Sequence, residues 1–508
     1  MSVSSRLGIP LVWVATLLCS VALTARAGAR CEDIQSLKRD ATTITLAETV
    51  AAGAFVPPER SPWSTGQEYA QLPAFCRVAG SLHPTPDSQI GFELWMPVTG
   101  WNGKFLQAGN GGAAGSIVYP ALVVPLSRGY AVVHTDTGHS GGGGDFSWAV
   151  GHPEKVTDFA YRAVHEVTLA GKAMTREYYG ERPRLSYWLG CSTGGRQGYV
   201  EAQRYPDDYD GVAAGAPAAN WIPTGLLAVL FQRELLSPDG LPVSKLALLR
   251  RAAVAACDAA DGVVDGVISD PDRCRFDPKA LLCSAAGTDA CLTAPEVAAA
   301  QRLYRGVVDG RRRVVYPGTG PGSEIQWAAF VNPDFRIGES AFRYLVYNDP
   351  EWSVSAFNVD RDLAAGIQRD AGAASAMDPN LRSFLNHGGK LLTYHGTTDG
   401  LIPYLNTRHY VLAVQHSVGS AAATGVRYYE VPGMDHCGGG AGAGDIDWLS
   451  ALDTWVETGR APEALPAHHP GEGESPSFSR PQCPFPQQAR YRGHGDPRDA
   501  QSFACVKR

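Results

Sequence analysis

The first half of the chain alternates short apolar runs with a longer amphipathic segment. The apolar runs at 91–96, 104–108, 130–135 and 185–189 are rich in β-branched and aromatic residues, which predicts buried strands. Residues 157–179 carry apolar side chains at helical spacing and end shortly before a proline, which predicts a helix. Because strands that alternate with helices build parallel sheets, this pattern predicts a mostly parallel sheet with helices on both faces.

The pattern changes near Trp221. Helix-like segments at 226–236, 244–256 and 294–304 follow, together with four cysteines in close pairs and aromatic-rich loops. We therefore predict that residues 219–378 form an insertion, a lid domain.

The strand pattern returns beyond the insertion, at 390–395 and 426–431. Both segments are apolar runs of the kind that form buried parallel strands. We therefore predict a single α/β catalytic domain, made of residues 28–218 and 379–508 and interrupted by the lid.

Residues 1–27 have the three parts of an export signal. Arg6 supplies the positive start, residues 11–23 the apolar run, and residues 25–27 the small-residue cleavage site. The apolar run is short for a membrane helix, and no later segment reaches about 18 uninterrupted apolar residues. We predict an exported protein, periplasmic or secreted, without a membrane span.

Charge and cysteine content narrow the classes of partner and site. A net charge of −7 offers no basic stripe to neutralise phosphates, which argues against a nucleic-acid partner. Of the 11 cysteines, Cys19 lies in the export signal, which leaves an even number. None of the others has the C-x-x-C spacing of a zinc site, so in an exported chain they predict five disulfides.

The segment Gly190-Cys191-Ser192-Thr193-Gly194 has the G-x-S-x-G pattern of a nucleophile elbow. It follows an apolar run and precedes a helix-like segment, so we predict that Ser192 lies on a sharp turn between a strand and a helix. The flanking glycines allow that strand and helix to approach closely. The motif alone is common, and an ordinary turn of the same composition is the alternative.

A serine nucleophile requires a base and a carboxylate that orients it. In α/β-hydrolases the chain order is serine, then acid, then histidine. Asp399 lies just past the predicted strand at 390–395, and His436 lies on the loop after the strand at 426–431. We therefore predict a Ser192–Asp399–His436 triad in an α/β-hydrolase fold with a large inserted lid domain. The alternatives are Asp435 as the acid and His139, His395 or His409 as the base.

Cysteines lie beside both the nucleophile and the base. Cys191 precedes Ser192 and Cys437 follows His436, so a bridge between them would fix the two reacting residues relative to each other. It would close a very long loop, which is worth on the order of 5 kcal/mol in the chain-entropy model.

Two glycine-rich loops follow strand ends. Residues 109–112 lie where a hydrolase sheet places the loop whose backbone N–H groups stabilise a developing negative charge. We predict that the N–H groups of Thr193 and Gly111 hold the oxyanion, with Gly112 as the near alternative. Residues 141–144 are predicted to form a surface loop.

The sequence resembles the tannase and feruloyl esterase family, which also contains the bacterial hydrolase of mono(2-hydroxyethyl) terephthalate. Residues 190–196, residues 395–399 and the His436-Cys437 pair carry the resemblance, which covers essentially the whole mature chain. The resemblance implies the disulfides Cys31–Cys76, Cys191–Cys437, Cys257–Cys274, Cys283–Cys291 and Cys483–Cys505.

Residues 257–268 gather three carboxylates and two glycines in a short lid loop. Hard oxygen ligands at this density suit Ca²⁺, although the spacing is not that of an EF-hand, and an acidic turn is the alternative. The family resemblance implies a structural calcium ion here. Its implied ligands are the side chains of Asp258, Asp261 and Asp265 and the carbonyl groups of Val263 and Val267.

Together these observations predict a secreted serine hydrolase of carboxylic esters that works through an acyl-enzyme and needs no organic cofactor. Its expected substrates are small aromatic esters: feruloyl or other hydroxycinnamoyl, galloyl or terephthaloyl monoesters. The alternatives are a lipase or peptidase and a non-catalytic exported binding protein on the same scaffold. Ile402 is predicted to line the acyl pocket. The lid aromatics considered as substrate contacts are Trp221, Phe330, Phe335, Trp352 and Phe357.

Overall fold

The computed structural model describes residues 1, 28–58, 64–284, 290–471 and 476–508. Apart from Met1, the predicted export signal lies outside these residues and stays a prediction. Within the described part of the chain, no helix combines the length and the apolar character needed to cross a membrane.

The strands of the described residues are, in chain order, β1 (Thr42–Val50), β2 (Phe75–Leu82), β3 (Ile90–Pro97), β4 (Lys104–Ala108), β5 (Ala131–Thr135), β6 (Leu185–Cys191), β7 (Gly211–Gly215), β8 (Val307–Val308), β9 (Val314–Tyr316), β10 (Lys390–Gly396), β11 (Val426–Val431), β12 (Leu465–His469), β13 (Phe478–Gln482), β14 (Gln487–Tyr491) and β15 (Phe503–Lys507).

The α-helices are α1 (Pro120–Ser127), α2 (Pro153–Thr157), α3 (Ala163–Tyr179), α4 (Thr193–Arg204), α5 (Trp221–Leu236), α6 (Leu246–Cys257), α7 (Ala294–Arg305), α8 (Ile337–Ser340), α9 (Val359–Asp370), α10 (Arg382–Asn386), α11 (Tyr404–Val418), α12 (Ala421–Gly425) and α13 (Trp448–Thr458). Two π-helical turns span Asp158–Arg162 and Ala341–Val346. Short 3₁₀ helices span Cys31–Ser36, Gln67–Gln71, Ser147–Ala149, Val243–Lys245, Asp258–Asp261, Pro278–Leu281, Glu324–Val331, Pro333–Phe335, Val354–Ala356 and Ala500–Ser502.

A nine-stranded mixed sheet organises the described residues, in the order β1-β2-β3-β5-β4-β6-β7-β10-β11. All pairings from β5 to β11 are parallel, whereas β1, β2, β3 and β5 pair antiparallel with their neighbours on the other side. The mostly parallel sheet expected from the sequence is therefore confirmed where the site lies. The antiparallel edge was not predicted, because β1 is half-exposed and lacks a continuous apolar run.

The predicted strands recur as β3, β4, β5, β6, β10 and β11, with ends within two residues of the expected ones. Their side chains are almost entirely buried, as expected for strands covered on both faces. The helix expected at 157–179 differs in its first turn, because residues Asp158–Arg162 form a π-helical turn and α3 begins only at Ala163.

Between β7 and β10 the chain leaves the sheet and forms a mostly helical layer. Helix α5 is apolar on nearly all sides and is buried along most of its length, which is characteristic of a helix at the centre of a core. It packs in one hydrophobic cluster with residues such as Trp327 and Phe342 from the same segment and Phe146 and Phe159 from the first half of the chain. The exact lid bounds, 219 and 378, stay a prediction.

The five disulfides that the family resemblance implies are present. They join Cys31–Cys76, Cys191–Cys437, Cys257–Cys274, Cys283–Cys291 and Cys483–Cys505.

Candidate active site

Ser192 occupies a tight turn between β6 and α4. Its backbone has φ +64° and ψ −121°, a conformation that residues other than glycine rarely adopt and that costs of order 1–3 kcal/mol. The surrounding backbone fixes this turn, because the Ser192 N–H donates to the Gly215 carbonyl (2.9 Å) and the Ser192 carbonyl accepts from Ala218 (3.1 Å). The Ser192 hydroxyl does not cap the helix that follows.

The glycines of the motif allow the strand and helix around Ser192 to pack against each other. A Cβ atom on Gly190 would lie 2.7 Å from the Gly194 carbonyl carbon, and one on Gly195 would lie 2.2 Å from the Gly215 oxygen. Both distances are too short for any side chain. The spacing of glycines around Ser192 is therefore a packing requirement of this elbow.

Asp399 lies three residues past the end of β10 and is fully buried. Its Oδ1 accepts the N–H groups of Leu401 (2.8 Å) and Ile402 (2.9 Å). Its Oδ2 accepts from His436 Nδ1 (2.7 Å) and from His395 Nε2 (3.0 Å). Burial alone would raise the pKa of Asp399, but the two imidazoles outweigh it and hold that pKa below its ordinary value.

His436 lies on the loop after β11, where it joins the acid to the cavity. Burial acts to lower its pKa, but the charge and hydrogen bond of Asp399, together with the charge of Asp435, raise it above the ordinary value. Because Nδ1 donates to Asp399, Nε2 is the nitrogen left to accept a proton. Ser192 and His436 line the same cavity.

The alternative acid and bases lie elsewhere or serve other purposes. Asp435 accepts from the Thr398 hydroxyl (3.0 Å), and burial raises the pKa of Asp435 to about 6. His139 contacts the Ala113 carbonyl (2.8 Å), and burial lowers the pKa of His139 to about 4. His409 is exposed on α11.

His395 is buried behind the acid. Its Nε2 faces two acceptors, Asp399 Oδ2 (3.0 Å) and the Ile402 carbonyl (2.9 Å), so that nitrogen carries the proton. Its Nδ1 then accepts from the Thr407 hydroxyl (2.8 Å). The imidazole therefore fixes the acid and its loop and is not a base at the cavity.

The glycine-rich loop after β4 is attached to α4, the helix that follows Ser192. Asn110 accepts the Gly194 N–H at its carbonyl (2.7 Å) and exchanges two hydrogen bonds of 3.0 Å with the Gln197 side chain. The Thr193 hydroxyl donates to the Gly112 carbonyl (2.6 Å). Thr193 and Gly112 both line the cavity, whereas Gly111 is not among the described lining residues.

The second glycine-rich loop does more than cover the surface. The Gly143 carbonyl accepts the Ala113 N–H (2.7 Å), and the Gly141 N–H donates to the Gly115 carbonyl (3.3 Å). Residues 141–143 are exposed, as a surface loop requires, yet their backbone also supports the loop that carries Gly112. The sequence offered no signal for this contact because it involves only backbone atoms.

The cavity at Ser192 lies between the sheet and the lid. From the first block of the chain and the loops after β10 and β11, its lining residues are Gly112, Phe146, Ser192, Thr193, Ala218, Leu401, Ile402 and His436. From the segment between β7 and β10, its lining residues are Trp221, Ile222, Thr224, Gly225, Ala228, Phe330, Phe335, Ile337, Gly338, Ala341, Phe342, Leu345 and Val346.

The residues considered for substrate contact therefore divide into two groups. Ile402, Trp221, Phe330 and Phe335 line the cavity. Trp352 stacks on Phe342 and Tyr347 (centroids 5.5 and 5.9 Å apart), and Phe357 lies under the Arg233 guanidinium. These last two residues pack within the lid and are not among the described lining residues.

The Cys191–Cys437 disulfide joins the residue before Ser192 to the residue after His436, with 5.9 Å between the Cα atoms. A lid residue adds a second constraint, because Gln326 accepts the His436 N–H (3.1 Å) and donates to the Thr398 carbonyl (2.6 Å). The histidine loop is thus attached to the elbow and to the lid.

The predicted calcium loop closes on itself through its carboxylates. Asp258 accepts the N–H groups of Asp265 (3.2 Å) and Gly266 (2.9 Å), and Asp261 accepts that of Val263 (3.0 Å). Burial raises the pKa of Asp265 although the Arg480 guanidinium lies 2.5 Å from its Oδ2. Carboxylate oxygens are of the ligand type that suits Ca²⁺.

The side chains of Asp258, Asp261 and Asp265 nevertheless do not bring one oxygen atom each to within 4.8 Å of one another. Among the described residues, three side chains with ligand atoms within 4.8 Å of one another occur only at His165, Glu201 and Asp208, which lie on α3, on α4 and just after α4. In that cluster His165 Nδ1 bonds Asp208 Oδ2 (2.6 Å).

Four residues that position the site were not predicted in that role: Asn110, Gln197, Gln326 and His395, the last of which the sequence offered only as an alternative base. Three of them act through amide side chains, which no motif singles out. His395 stands in the segment that carries the family resemblance, but only the fold reveals that its imidazole shares an oxygen of Asp399 with His436.

Known proteins resemble this chain along nearly its whole length. The family model described as tannase and feruloyl esterase matches residues 76–506. An uncharacterized esterase of Xanthomonas campestris pv. campestris is 35% identical over 95% of this chain and 92% of its own. A probable feruloyl esterase B of Aspergillus niger is 32% identical over 100% of both chains.

Among solved structures, feruloyl esterase B from Aspergillus oryzae is 31% identical and superposes with a TM-score of 0.86 over 94% of this chain and 99% of that chain. The likeness confirms the predicted α/β-hydrolase fold class.

Proposed function

This chain belongs to the tannase and feruloyl esterase family and is a carboxylic-ester hydrolase; from that premise we propose that it is an exported serine esterase that cleaves esters of aromatic acids through an acyl-enzyme. One observation carries the proposal. Ser192 and His436 line one cavity, and His436 is hydrogen-bonded to the buried, ionised Asp399.

In the first half of the reaction His436 Nε2 takes the proton of the Ser192 hydroxyl, and the Oγ atom attacks the ester carbonyl carbon. Asp399 keeps the imidazole in the required tautomer and stabilises the imidazolium. His436 then gives the proton to the departing alkoxide, and the alcohol leaves. The acyl group remains on Ser192.

In the second half a water molecule gives a proton to His436 and attacks the acyl-enzyme carbonyl. The proton returns to Ser192 Oγ as the carbon–oxygen bond breaks, and the carboxylic acid is released. The atoms of one water molecule are consumed in each turnover.

The developing negative charge in both halves requires backbone donors at the cavity. Thr193 is the first residue of α4, so its N–H has no acceptor within the helix. We assign the second donor to the segment Gly111–Gly112 and favour Gly112, because it lines the cavity and accepts the Thr193 hydroxyl.

We propose further that the lid loop at 258–267 binds a structural calcium ion through Asp258, Asp261 and Asp265 and the carbonyls of Val263 and Val267. The ion would neutralise the loop carboxylates and stabilise the lid; it takes no part in the chemical steps. We expect a chelator to lower the Tm and calcium to restore it, with Asp261→Asn insensitive to both. Asp239→Asn, an exposed change in the same segment, is the control.

Hydrolysis of methyl ferulate, methyl gallate and mono(2-hydroxyethyl) terephthalate, compared between the native enzyme and Ser192→Ala, tests the proposed function. We expect release of acid from at least one ester and a loss of at least about 10⁴-fold in kcat with Ser192→Ala. Ser147→Ala, at an exposed serine, is the matched control and should keep full activity.

A lack of hydrolysis of all aromatic esters would favour the non-catalytic binding protein, and cleavage of amides or of long-chain acyl esters alone would favour a peptidase or lipase. Activity that survives in Ser192→Ala would refute the assigned nucleophile.

A further inference from the structure

The cavity changes character with distance from the reacting atoms. Next to Ser192 its wall is polar, but the rest is formed by aliphatic and aromatic side chains of the lid and the β10 loop. Within the lid, the π-helical turn Ala341–Val346 places Phe342, Leu345 and Val346 on the wall.

The polar side chains on the described wall are few, and the two threonines among them already have partners. Besides Ser192 and His436 the polar side chains are Thr193, Thr224 and Trp221, whose indole carries one N–H donor. The Thr193 hydroxyl donates to Gly112, and the Thr224 hydroxyl lies 2.8 Å from both the Asn220 carbonyl and the Tyr316 hydroxyl. Beyond the reacting atoms, the Trp221 indole N–H is therefore the one side-chain donor of the described wall without a hydrogen-bond partner among the described residues.

The described wall also carries no Asp, Glu, Lys or Arg side chain. Gly338 lines the cavity, but the neighbouring Glu339 is directed into ion pairs with Arg343 (2.9 Å) and Arg336 (3.8 Å). These three charges sum to +1, but none of the three side chains is among the described lining residues, so none of them provides a direct counter-charge for a bound carboxylate.

A charged or hydroxyl-rich substrate group that enters such a wall loses its contacts with water and finds at most one neutral N–H donor in return. An apolar pocket rejects an added hydroxyl by at most about 100-fold, whereas an unpaired charge is rejected far more strongly. The acyl group best suited to the cavity is therefore aromatic, uncharged and poor in hydroxyls.

We propose that the acyl pocket selects uncharged, sparsely hydroxylated aromatic acids, in the order cinnamoyl, then feruloyl, then galloyl, and that it excludes terephthalate monoesters because of their second carboxylate. This inference rests on the proposed function and narrows its substrate class.

A set of methyl esters isolates the acyl group because the leaving alcohol is the same throughout. Monomethyl and dimethyl terephthalate differ at the distal carboxyl group, which is a charged carboxylate in the first and an uncharged methyl ester in the second; the two equivalent ester bonds of the dimethyl compound add only a factor of about two. We expect kcat/KM for the dimethyl ester to exceed that for the monomethyl ester by at least about 1000-fold. Methyl cinnamate should exceed methyl ferulate, and methyl benzoate should exceed methyl gallate by about 100-fold.

A variant tests whether the wall itself causes this selection. Val346→Thr replaces a methyl group of the wall by a hydroxyl of the same size and should narrow the ratio of methyl benzoate to methyl gallate by about 10-fold. Val354→Thr makes the same change at a lid position that does not line the cavity and should leave the ratio unchanged.

Equal rates for monomethyl and dimethyl terephthalate, or a gallate rate equal to the benzoate rate, would overturn the inference and leave the proposed esterase intact. No hydrolysis of any ester in the set would overturn both.

Discussion

The two walls of the cavity are built on opposite principles. On the wall that carries the predicted triad, called the catalytic wall below, Asp399, His436 and the loop that carries Gly112 are each held by directed hydrogen bonds, such as the four that Asp399 accepts. On the lid wall nearly all side chains are aliphatic or aromatic and are held by packing, and Thr224 is the exception with a hydrogen-bonded hydroxyl.

The difference teaches where each property of the enzyme resides. Hydrogen bonds fix direction and distance, so a small displacement on the catalytic wall should reduce the rate for every substrate. Packing fixes shape and polarity, so a change on the lid wall should redistribute rates among substrates. Four changes, ordered by expected effect, test this division.

The largest effect is expected from the disulfide on the catalytic wall. The double variant Cys191→Ser/Cys437→Ser opens a loop of 246 residues. In the chain-entropy model this costs on the order of 5 kcal/mol of unfolding free energy, against about 2.5 kcal/mol for the 8-residue separation of Cys283 and Cys291. We expect Cys191→Ser/Cys437→Ser to lose kcat for all esters and the matched double variant Cys283→Ser/Cys291→Ser to keep it. Thermal unfolding measures the two losses of stability, and initial rates measure kcat. Equal losses of kcat would contradict the division.

The second change concerns the histidine behind the acid. In His395→Ala the Asp399 Oδ2 keeps only His436 as a side-chain donor, so we expect kcat/KM to fall by about 10- to 100-fold. The pKa of His436 should rise further, because the carboxylate charge is less shared.

Since the neutral imidazole is the active form, the acid limb of the pH–rate profile should then move to higher pH. His395→Gln, which retains an N–H donor, should restore most of the rate and the profile. A change in Tm with an unmoved acid limb would reduce His395 to a structural role.

The third change is on the apolar side. Ile402→Ala enlarges the cavity next to Leu401 while leaving the Ile402 N–H and carbonyl in place. We expect the ratio of kcat/KM between small and bulky aromatic esters to change by about 10-fold. The acid limb of the pH–rate profile should stay where it is in the native enzyme. Ile367→Ala, at an exposed position of α9, is the control. Unchanged kinetics on every ester would remove Ile402 from the pocket.

The smallest effect is expected at Asp435. Its carboxylate contributes to the raised pKa of His436, so Asp435→Asn should lower that pKa. The acid limb should move to lower pH by less than about one unit, with little change in rate at alkaline pH. The native acid limb should lie above about pH 6.5, the ordinary value for histidine. A shift to higher pH would show that Asp435 does not act through His436.

The sequence predicted the strands around the site because each is a continuous apolar run that the fold buries on both faces. It also placed Asp399 and His436 at the ends of such runs, which the sheet brings to one edge. Their catalytic roles follow from chain order and stay a prediction until the variants are measured.

Other features depend on contacts between distant segments, which no local pattern encodes. Trp352 and Phe357 are of the same residue types as Trp221 and Phe330, so the sequence does not distinguish the two pairs. In the fold the first pair packs within the lid, whereas the second pair lines the cavity. The Asn110–Gln197 pair joins positions 87 residues apart, and neither residue type is distinctive in the sequence.

The Cys191–Cys437 bridge has a consequence for how such enzymes diversify. The chain between its two ends contains the whole segment that leaves the sheet, from α5 to α9. The disulfide joins the chain before this segment to the chain after it, beside the site. A longer segment therefore changes the free energy of loop closure only slightly, by about 0.6 kcal/mol per doubling of a flexible loop. We therefore expect that the lid can change in length, in natural relatives or by design, while Ser192 and His436 stay together.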